Sequence, residues 1–367
     1  MDDSAPVEGI DVAVYEVPTD GPESDGTLAW DSTTAVVVHA RAGGCTGLGY
    51  TYASAATATV VRTTLAPLVA GSDAMCVKAS WRAMVRAVRN LGRPGAAAMA
   101  ISAVDIALWD LKARLLDLPL VVVLDAAHDR VPVYGSGGFT SYSQERLESQ
   151  LAGWVEAGIP RVKMKVGRHP DADVARVLGV RKAVGDQVEV MVDANGAYDR
   201  AQALGFAERY GELRVGWFEE PVSSDDLDGL RLVRDRAPGG MEVAAGEYGW
   251  DPWYYYRLVA AGAVDVVQAD VTRCGGITGF TQVAGLCQAA NLGLSPHCAP
   301  HVSAHAGATV DALRPIEYFH DHVRVERLLF DGVGEPVDGC LVPDRSRPGL
   351  GIELKVADAD RYRKEAV

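Results

Sequence analysis

Branched apolar residues near the start of the chain gather in short runs, Gly9 to Val17, Thr33 to His39 and Gly47 to Tyr52. A polar loop from Pro18 to Asp31 and the turn-forming Ala42-Gly43-Gly44 separate them. Runs bounded in this way predict a hairpin-like sheet. The spacing then lengthens. Thr57 to Val69 and Trp81 to Leu91 repeat their apolar residues at helical intervals, and Ala96 to Leu115, rich in Ala, Ile and Leu, predicts a longer helix. Residues 1–128 therefore read as an α+β unit.

From Val131 the pattern changes to short apolar runs, each followed by an amphipathic stretch. The predicted strands are Val131 to Gly135, Arg161 to Val166, Val188 to Asp193, Val215 to Glu219, Met241 to Ala245, Val264 to Gln268, Leu294 to Pro296 and Ile316 to Tyr318. Eight strand–helix units close most economically into a (β/α)₈-type TIM barrel, because closure buries both faces of the sheet and leaves no exposed edge. The barrel is expected over residues 129–330. A C-terminal segment, 331–367, starts turn-rich from Gly332 to Gly349, and Leu350 to Val356 is a further predicted strand expected to return to the first unit.

Composition narrows the function classes. The chain of 367 residues is 48% hydrophobic and 23% charged, which suits a globular enzyme of two structural units. With 35 basic against 49 acidic residues the formal charge is -14, and no basic block is present, so a nucleic-acid surface is disfavoured. Apolar stretches fall well short of the roughly 20 residues that span a bilayer. The acidic start, Met1 to Glu16, lacks the basic segment and apolar core of a secretory signal. Six scattered cysteines without a C-x-x-C pair fit a reduced, cytoplasmic protein.

Chemistry becomes legible once acidic residues are placed on the strands. Asp193 closes one strand, Glu219 the next, and Glu247 lies two residues beyond the one after; the intervals of 26 and 28 residues each match one strand–helix unit. All three are expected at the carboxyl end of adjacent barrel strands, where barrel enzymes carry their sites. Three carboxylates without a cysteine neighbour offer hard oxygen ligands, which points to Mg²⁺, with Mn²⁺ sharing the preference. Glu220 follows Glu219 directly, and alternation directs it elsewhere.

Lys163 and Lys165 stand two apart on one strand, so both face the barrel interior, where an ammonium needs an anionic partner. Lys163 and a metal suit a bound carboxylate, and their charge lowers the proton affinity of Lys165, which makes it a usable base. Asp270 and His297 follow the sixth and seventh strands; the Asp fixes the imidazole tautomer for acid–base work. Glu317, on the eighth strand, is expected to carry a proton and donate it in a hydrogen bond to an enediolate oxygen. Asn195, in Asp-Ala-Asn-Gly, suits either a substrate contact or a turn, and His301 and His305 read as loop or helix-start residues.

These residues occur in Lys163-Met-Lys165, Asp193-Ala-Asn195-Gly, Phe218-Glu219-Glu220-Pro221, Ala245-Gly-Glu247, Asp270 with Arg273-Cys-Gly-Gly-Ile-Thr-Gly279, His297 and Glu317. With Ala103-Val-Asp105-Ile-Ala-Leu-Trp109-Asp110 they resemble the mandelate racemase-like group of the enolase superfamily over nearly the whole chain. The resemblance implies an enolase-type barrel beneath a capping domain and Mg²⁺ on Asp193, Glu219 and Glu247. It also implies Lys165 and the Asp270–His297 pair as opposed bases, Lys163 as carboxylate neighbour and Glu317 as enediolate donor. Specificity is then expected from the cap, from Tyr15 to Asp31 and from Tyr50 to Ala55, and the group forms dimers or larger symmetric assemblies such as octamers.

Proton removal next to a carboxylate leaves the outcome open. A polar, acidic capping loop, Pro18 to Gly26, favours dehydration of a monoacid sugar, which would make the protein a lyase. Racemisation or epimerisation of a 2-hydroxy acid is the alternative, followed by lactone cycloisomerisation; a noncatalytic magnesium-binding barrel is the reading of a different class.

Overall fold

In the computed structural model, which describes residues 5–364, the chain opens with antiparallel strands β1 (Gly9–Ser24), β2 (Ala29–Ala42) and β3 (Cys45–Tyr52). The first two run further than the pattern predicts. The pairing shifts register between Pro18 and Glu23, and such a bulge lets a ladder continue past a proline that has no N–H to donate. The connection is a tight turn instead of a long polar loop, with Asp25 Oδ1 accepting the N–H groups of Thr27 at 2.6 Å and Leu28 at 2.7 Å.

The helix Ala96–Leu115 lies on this sheet. Gly47 and Gly49 make the close approach feasible, because a Cβ at either would overlap the backbone of Ala107 or Ala103. Buried polar side chains on the same helix tie it to other elements. Asp110 accepts the N–H of Leu48 at 2.7 Å and of Leu350 at 2.5 Å. Ser102 Oγ accepts the N–H groups of Gly275 and Gly276 at 2.9 and 3.0 Å, and Asp105 accepts that of Thr278 at 2.9 Å. Those are the first, otherwise unpaired donors of the barrel helix Gly276–Ala289.

The barrel consists of parallel strands β4 (Val131–Gly137), β5 (Arg161–Lys165), β6 (Glu189–Asp193), β7 (Val215–Glu219), β8 (Glu242–Ala245), β9 (Val266–Ala269), β10 (Gly293–Pro296) and β11 (Ile316–Phe319). Each is followed by a helix. Neighbours pair in sequence order, and β11 pairs with β4. Between β10 and β11 the join is narrower: Leu294 donates to Ala312 O at 3.1 Å and accepts from Arg314 N–H at 2.9 Å. Tyr134, Met191, Trp217, Ala244 and Val266 fill the interior below the mouth.

Beyond the barrel, Leu350 to Val356 does not supply the predicted strand to the first sheet. Its short β14 (Glu353–Leu354) pairs with β12 (Phe330–Asp331), β13 (Cys340–Leu341) pairs with the start of β4, and β15 (Arg363–Lys364) is the segment that joins β1. Among the described residues no helix is long and apolar enough to cross a membrane, and all six cysteines are unpaired.

Glu23 is buried where the first sheet meets the barrel, and Trp30 Nε1 donates to its Oε2 at 2.9 Å. Burial, reinforced by the charge of Asp321, pushes its carboxyl up to about 8. A folded-state pKa above the unfolded one means that the native state holds a proton the unfolded chain has released. Stability therefore falls as pH rises from the unfolded value through about 8. Glu23→Gln keeps the acceptor for Trp30 and removes the titration. Thermal unfolding of the variant is expected to depend less on pH, with a gain of about 1–3 kcal/mol at mildly alkaline pH; an unchanged pH profile would count against this account.

Candidate active site

Asp193 and Glu219 end adjacent strands and stand directly opposite in the ladder, as do Lys165 and Asp193. Glu247 follows β8 by way of Gly246, whose φ of +131° and close approach to the Gln268 carbonyl leave no room for a Cβ. The three carboxylates are buried, and one oxygen of each lies within 4.8 Å of the others. Asn195 N–H and Trp217 Nε1 orient Asp193 and Glu219, at 2.8 and 2.9 Å. This is an all-oxygen donor set of the kind that holds a hard divalent cation.

Glu220 departs from strand alternation. The strand ends at Glu219, Glu220 takes a φ of +39°, and its carboxyl is buried with neither oxygen hydrogen-bonded. Burial and then Glu247 hold its pKa well above the ordinary carboxylate value. With Asp193, Glu219, Glu247, Asp270 and Glu317 it makes six buried carboxyl groups, against which stand Lys163, Lys165, the largely buried Arg273 and His297. The carboxyl groups outnumber these cations, so protons or a bound cation must make up the difference, which is a second indication of a cation site.

Lys163 bonds Glu219 and lies 2.9 Å from Glu317 Oε1, while Lys165 bonds Asp193. Burial alone would lower both lysines. For Lys163 the carboxylates of Glu219 and Glu317 outweigh it, and for Lys165 that of Asp193 does, so both ammonium groups are held above their ordinary pKa. Lys163 pulls Lys165 in the expected downward direction, but less strongly than Asp193 pushes it up.

His297 Nδ1 lies 2.9 Å from Asp270 Oδ2, and Thr272 fixes that carboxylate through its N–H and Oγ1, both at 2.7 Å from Oδ1. The other ring nitrogen is 3.3 Å from Glu247 and 3.2 Å from Glu317. Burial opposes the charged imidazole, but Cys298, Glu247, Glu317 and the Asp270 bond together hold its pKa well above normal. Ser136 Oγ donates to Glu317 Oε1 at 2.5 Å. The proton expected on Glu317 is not favoured here: although burial would raise its pKa, Lys163 and His297 hold it well below the usual range.

Part of this cluster opens on a cavity of about 530 Å³ between the first sheet and the barrel. Lys165, Asn195, Glu247, His297 and Glu317 line it, and the Asn195 Oδ1 is without a hydrogen-bond partner. Tyr15 and Tyr50, expected to contact substrate, lie outside the lining. Tyr15 packs in the core of the first sheet, and Tyr50 is fully buried with its hydroxyl donating to Glu326 at 2.6 Å. Tyr52, two residues on, does reach the cavity, as do Trp30 and the hydroxyl residues Ser32, Thr33 and Thr34. His301 and His305 are buried on the helix Pro300–Gly307, away from the lining.

Arg273, Tyr248, Cys298 and His322 also line the cavity without having been singled out as site residues. Cys298 had a signal, its place directly after His297 at a strand end. His322 had none. Its ring stacks on Tyr52 with centroids 3.5 Å apart, and its Nδ1 accepts the Ala299 N–H at 3.2 Å.

A parallel eight-stranded barrel with metal-competent carboxylates at its carboxyl end and a sheet over its mouth defines an enzyme architecture. Residues 146–359 match the enolase C-terminal domain-like family, and residues 9–124 match the mandelate racemase / muconate lactonizing enzyme N-terminal domain. The chain belongs to the mandelate racemase/muconate lactonizing enzyme family of the enolase superfamily. It is 34% identical to a 3,6-anhydro-alpha-L-galactonate cycloisomerase of Streptomyces coelicolor over 98% of this chain and 99% of that one. An arabinonate dehydratase of Saccharolobus solfataricus is 31% identical over 82% and 81%. Among solved structures, a mandelate racemase/muconate lactonizing enzyme-like protein from Rubrobacter xylanophilus is 57% identical with a TM-score of 0.96, covering 98% of this chain and 100% of that one. A racemase from Streptomyces coelicolor with bound magnesium is 32% identical with a TM-score of 0.92, covering 98% and 100%.

Mn²⁺ titration followed by electron paramagnetic resonance is expected to show a hard-cation site that Glu219→Gln weakens by at least on the order of 100-fold. Equal affinity in the variant would remove Glu219 from the ligand set.

Proposed function

We propose that the protein is a Mg²⁺-dependent lyase that removes the proton next to the carboxylate of a monoacid sugar and expels the neighbouring hydroxyl, giving a 2-keto-3-deoxy acid. The observation that carries this reading is one cavity lined by both Lys165 and a His297 oriented by Asp270, beside three metal-competent carboxylates. Mg²⁺ on Asp193, Glu219 and Glu247 supplies Lewis-acid stabilisation of charge developing on the substrate carboxylate. The all-oxygen donor set and the magnesium in the racemase structure support that choice.

Lys163 answers the substrate carboxylate, and Lys165 takes the α-proton. Once Asp193 is committed to a cation, burial and the repulsion of Lys163 are left to lower the proton affinity of Lys165. Strands β5 and β10 stand three places apart one way round the barrel and five the other, which supports approach of Lys165 and His297 from different sides. Glu317 donates to the enediolate only in its protonated form, which the negative charge developing on the substrate favours against the lowering by Lys163 and His297. His297, protonated and held by Asp270, delivers its proton as the β carbon–oxygen bond breaks, so hydroxide leaves as water and the enol product becomes the 2-keto acid. Asn195 Oδ1 accepts from a substrate hydroxyl.

The cap side of the cavity supports a monoacid. Leu28, Trp30, Ser32, Thr33 and Thr34 offer hydroxyls and apolar surface but no positive charge for a second carboxylate. A cycloisomerase is the second reading, favoured by the relative that matches over nearly its full length. Its half-reaction is the same. Where the departing oxygen belongs to a ring of the same molecule, elimination opens the ring and no water is lost.

Acid sugars and their cyclic forms incubated with Mg²⁺ in D₂O and followed by NMR separate these outcomes. A 2-keto-3-deoxy product from an open-chain monoacid is expected; ring opening alone favours the cycloisomerase, and exchange or inversion without elimination favours racemisation. For the site, Lys165→Ala and His297→Asn are each expected to cut turnover by roughly 10²–10⁴-fold while Mg²⁺ affinity changes little. Full turnover in both variants would refute the assignment of the two bases.

A further inference from the structure

We propose a second cation site, for a thiophilic divalent ion of the Zn²⁺ or Co²⁺ class, formed by His297 Nε2, Cys298 Sγ and Glu317 Oε2 in the cavity wall. The sulfur lies 3.4 Å from the nitrogen and 3.2 Å from the oxygen, and the nitrogen and oxygen are 3.2 Å apart. A tetrahedral zinc ion, with bonds of about 2.3 Å to sulfur and about 2.0–2.1 Å to nitrogen and oxygen, has ligand-to-ligand edges of roughly 3.3–3.6 Å. The triangle needs to open by only a few tenths of an ångström.

Each ligand is already held from behind. Asp270 occupies Nδ1 of His297 at 2.9 Å, which leaves Nε2 to coordinate. Ser136 and Lys163 hold Glu317 Oε1, at 2.5 and 2.9 Å, which leaves Oε2. Cys298 and Ala299 both take left-handed backbone angles, with φ of +50° and +40°, a conformation that side-chain-bearing residues adopt at a cost. Ser303 Oγ, donating to the Cys298 carbonyl at 2.7 Å, and the Ala299 N–H bond to His322 fix that turn and aim the sulfur back at the histidine.

Softness separates the two sites. Mg²⁺ prefers oxygen, so it belongs with the three carboxylates, whereas a thiolate and an imidazole select Zn²⁺ or Co²⁺. The cysteine proton and the Nε2 proton of the His297 imidazolium both pass to solvent on binding, and thiolate plus carboxylate balance the charge of the ion. All three ligands line the cavity, so the fourth position is open to water or substrate. Under the proposed reaction the ion occupies the nitrogen that delivers the proton, and so switches the enzyme off.

The test is titration of the whole protein with Co²⁺ in excess Mg²⁺, followed by absorbance. A thiolate-to-cobalt band in the near ultraviolet and strong visible bands of four-coordinate cobalt are expected. The thiolate band should vanish in Cys298→Ala and Cys298→Ser, bind at least tenfold more weakly in Glu317→Gln, and persist in Glu219→Gln. Weak six-coordinate bands alone, or a thiolate band that survives both Cys298 variants, would overturn the proposal. No substrate enters these spectra, so they are independent of the reaction assigned above. With an active substrate, Zn²⁺ inhibition relative to each variant's own Mg²⁺ rate should weaken at least tenfold in Cys298→Ser; equal inhibition refutes the switch.

Discussion

Six carboxyl groups held out of water at one barrel mouth are the constraint on which the rest of the structure depends. Even at an effective dielectric of 20, two such charges about 4 Å apart repel by about 4 kcal/mol. The fold answers with bases on the neighbouring strand, Lys163 and Lys165, with Arg273 against Asp270, and with His297 between Glu247 and Glu317. These four cations do not match six ionised carboxylates, and without a metal the difference is carried by protons, with Glu219 and Glu220 held above the usual carboxylate range. The remainder is what turns a network of ion pairs into a place that draws in a cation, and it explains why nearly every titratable group there is displaced from its ordinary pKa.

The barrel was legible because its signals are periodic. Each strand is a short apolar run, and the acidic residues fall at strand ends one unit apart, so spacing alone brings Asp193, Glu219 and Glu247 together. The Lys163–Lys165 pair follows from the two-residue repeat of a strand. Where a signal depends on a single backbone angle, the pattern misleads. Glu220 joins the cluster because positive φ breaks the strand after Glu219, and the polar run from Pro18 is strand because a bulge carries the ladder past the proline.

The misplaced aromatics have a similar origin. Tyr50 and Tyr52 lie on the same strand, two residues apart, yet one is sealed against Glu326 and the other reaches the cavity. Twist and the position of the barrel rim decide between them, and neither is encoded in local spacing. His322 enters the site only because a later helix returns beneath the first sheet. The metal-competent cluster is thus written into strand ends, and the cavity wall around it into surfaces that tertiary packing assembles. That division explains why relatives named for elimination, cycloisomerisation and racemisation share one architecture.

The helix Gly276–Ala289 begins at Gly275 with no capping side chain of its own, and Ser102 and Asp105 of the first unit complete its opening turn. Each such cap is worth roughly 1 kcal/mol, and this helix follows the loop that carries Asp270 and Thr272. The two units are therefore not interchangeable cassettes. A lineage that recruited a foreign cap would loosen the scaffold behind its own Asp270–His297 pair. Point changes along the β1–β2 hairpin, which lines the cavity, leave the shared joint intact.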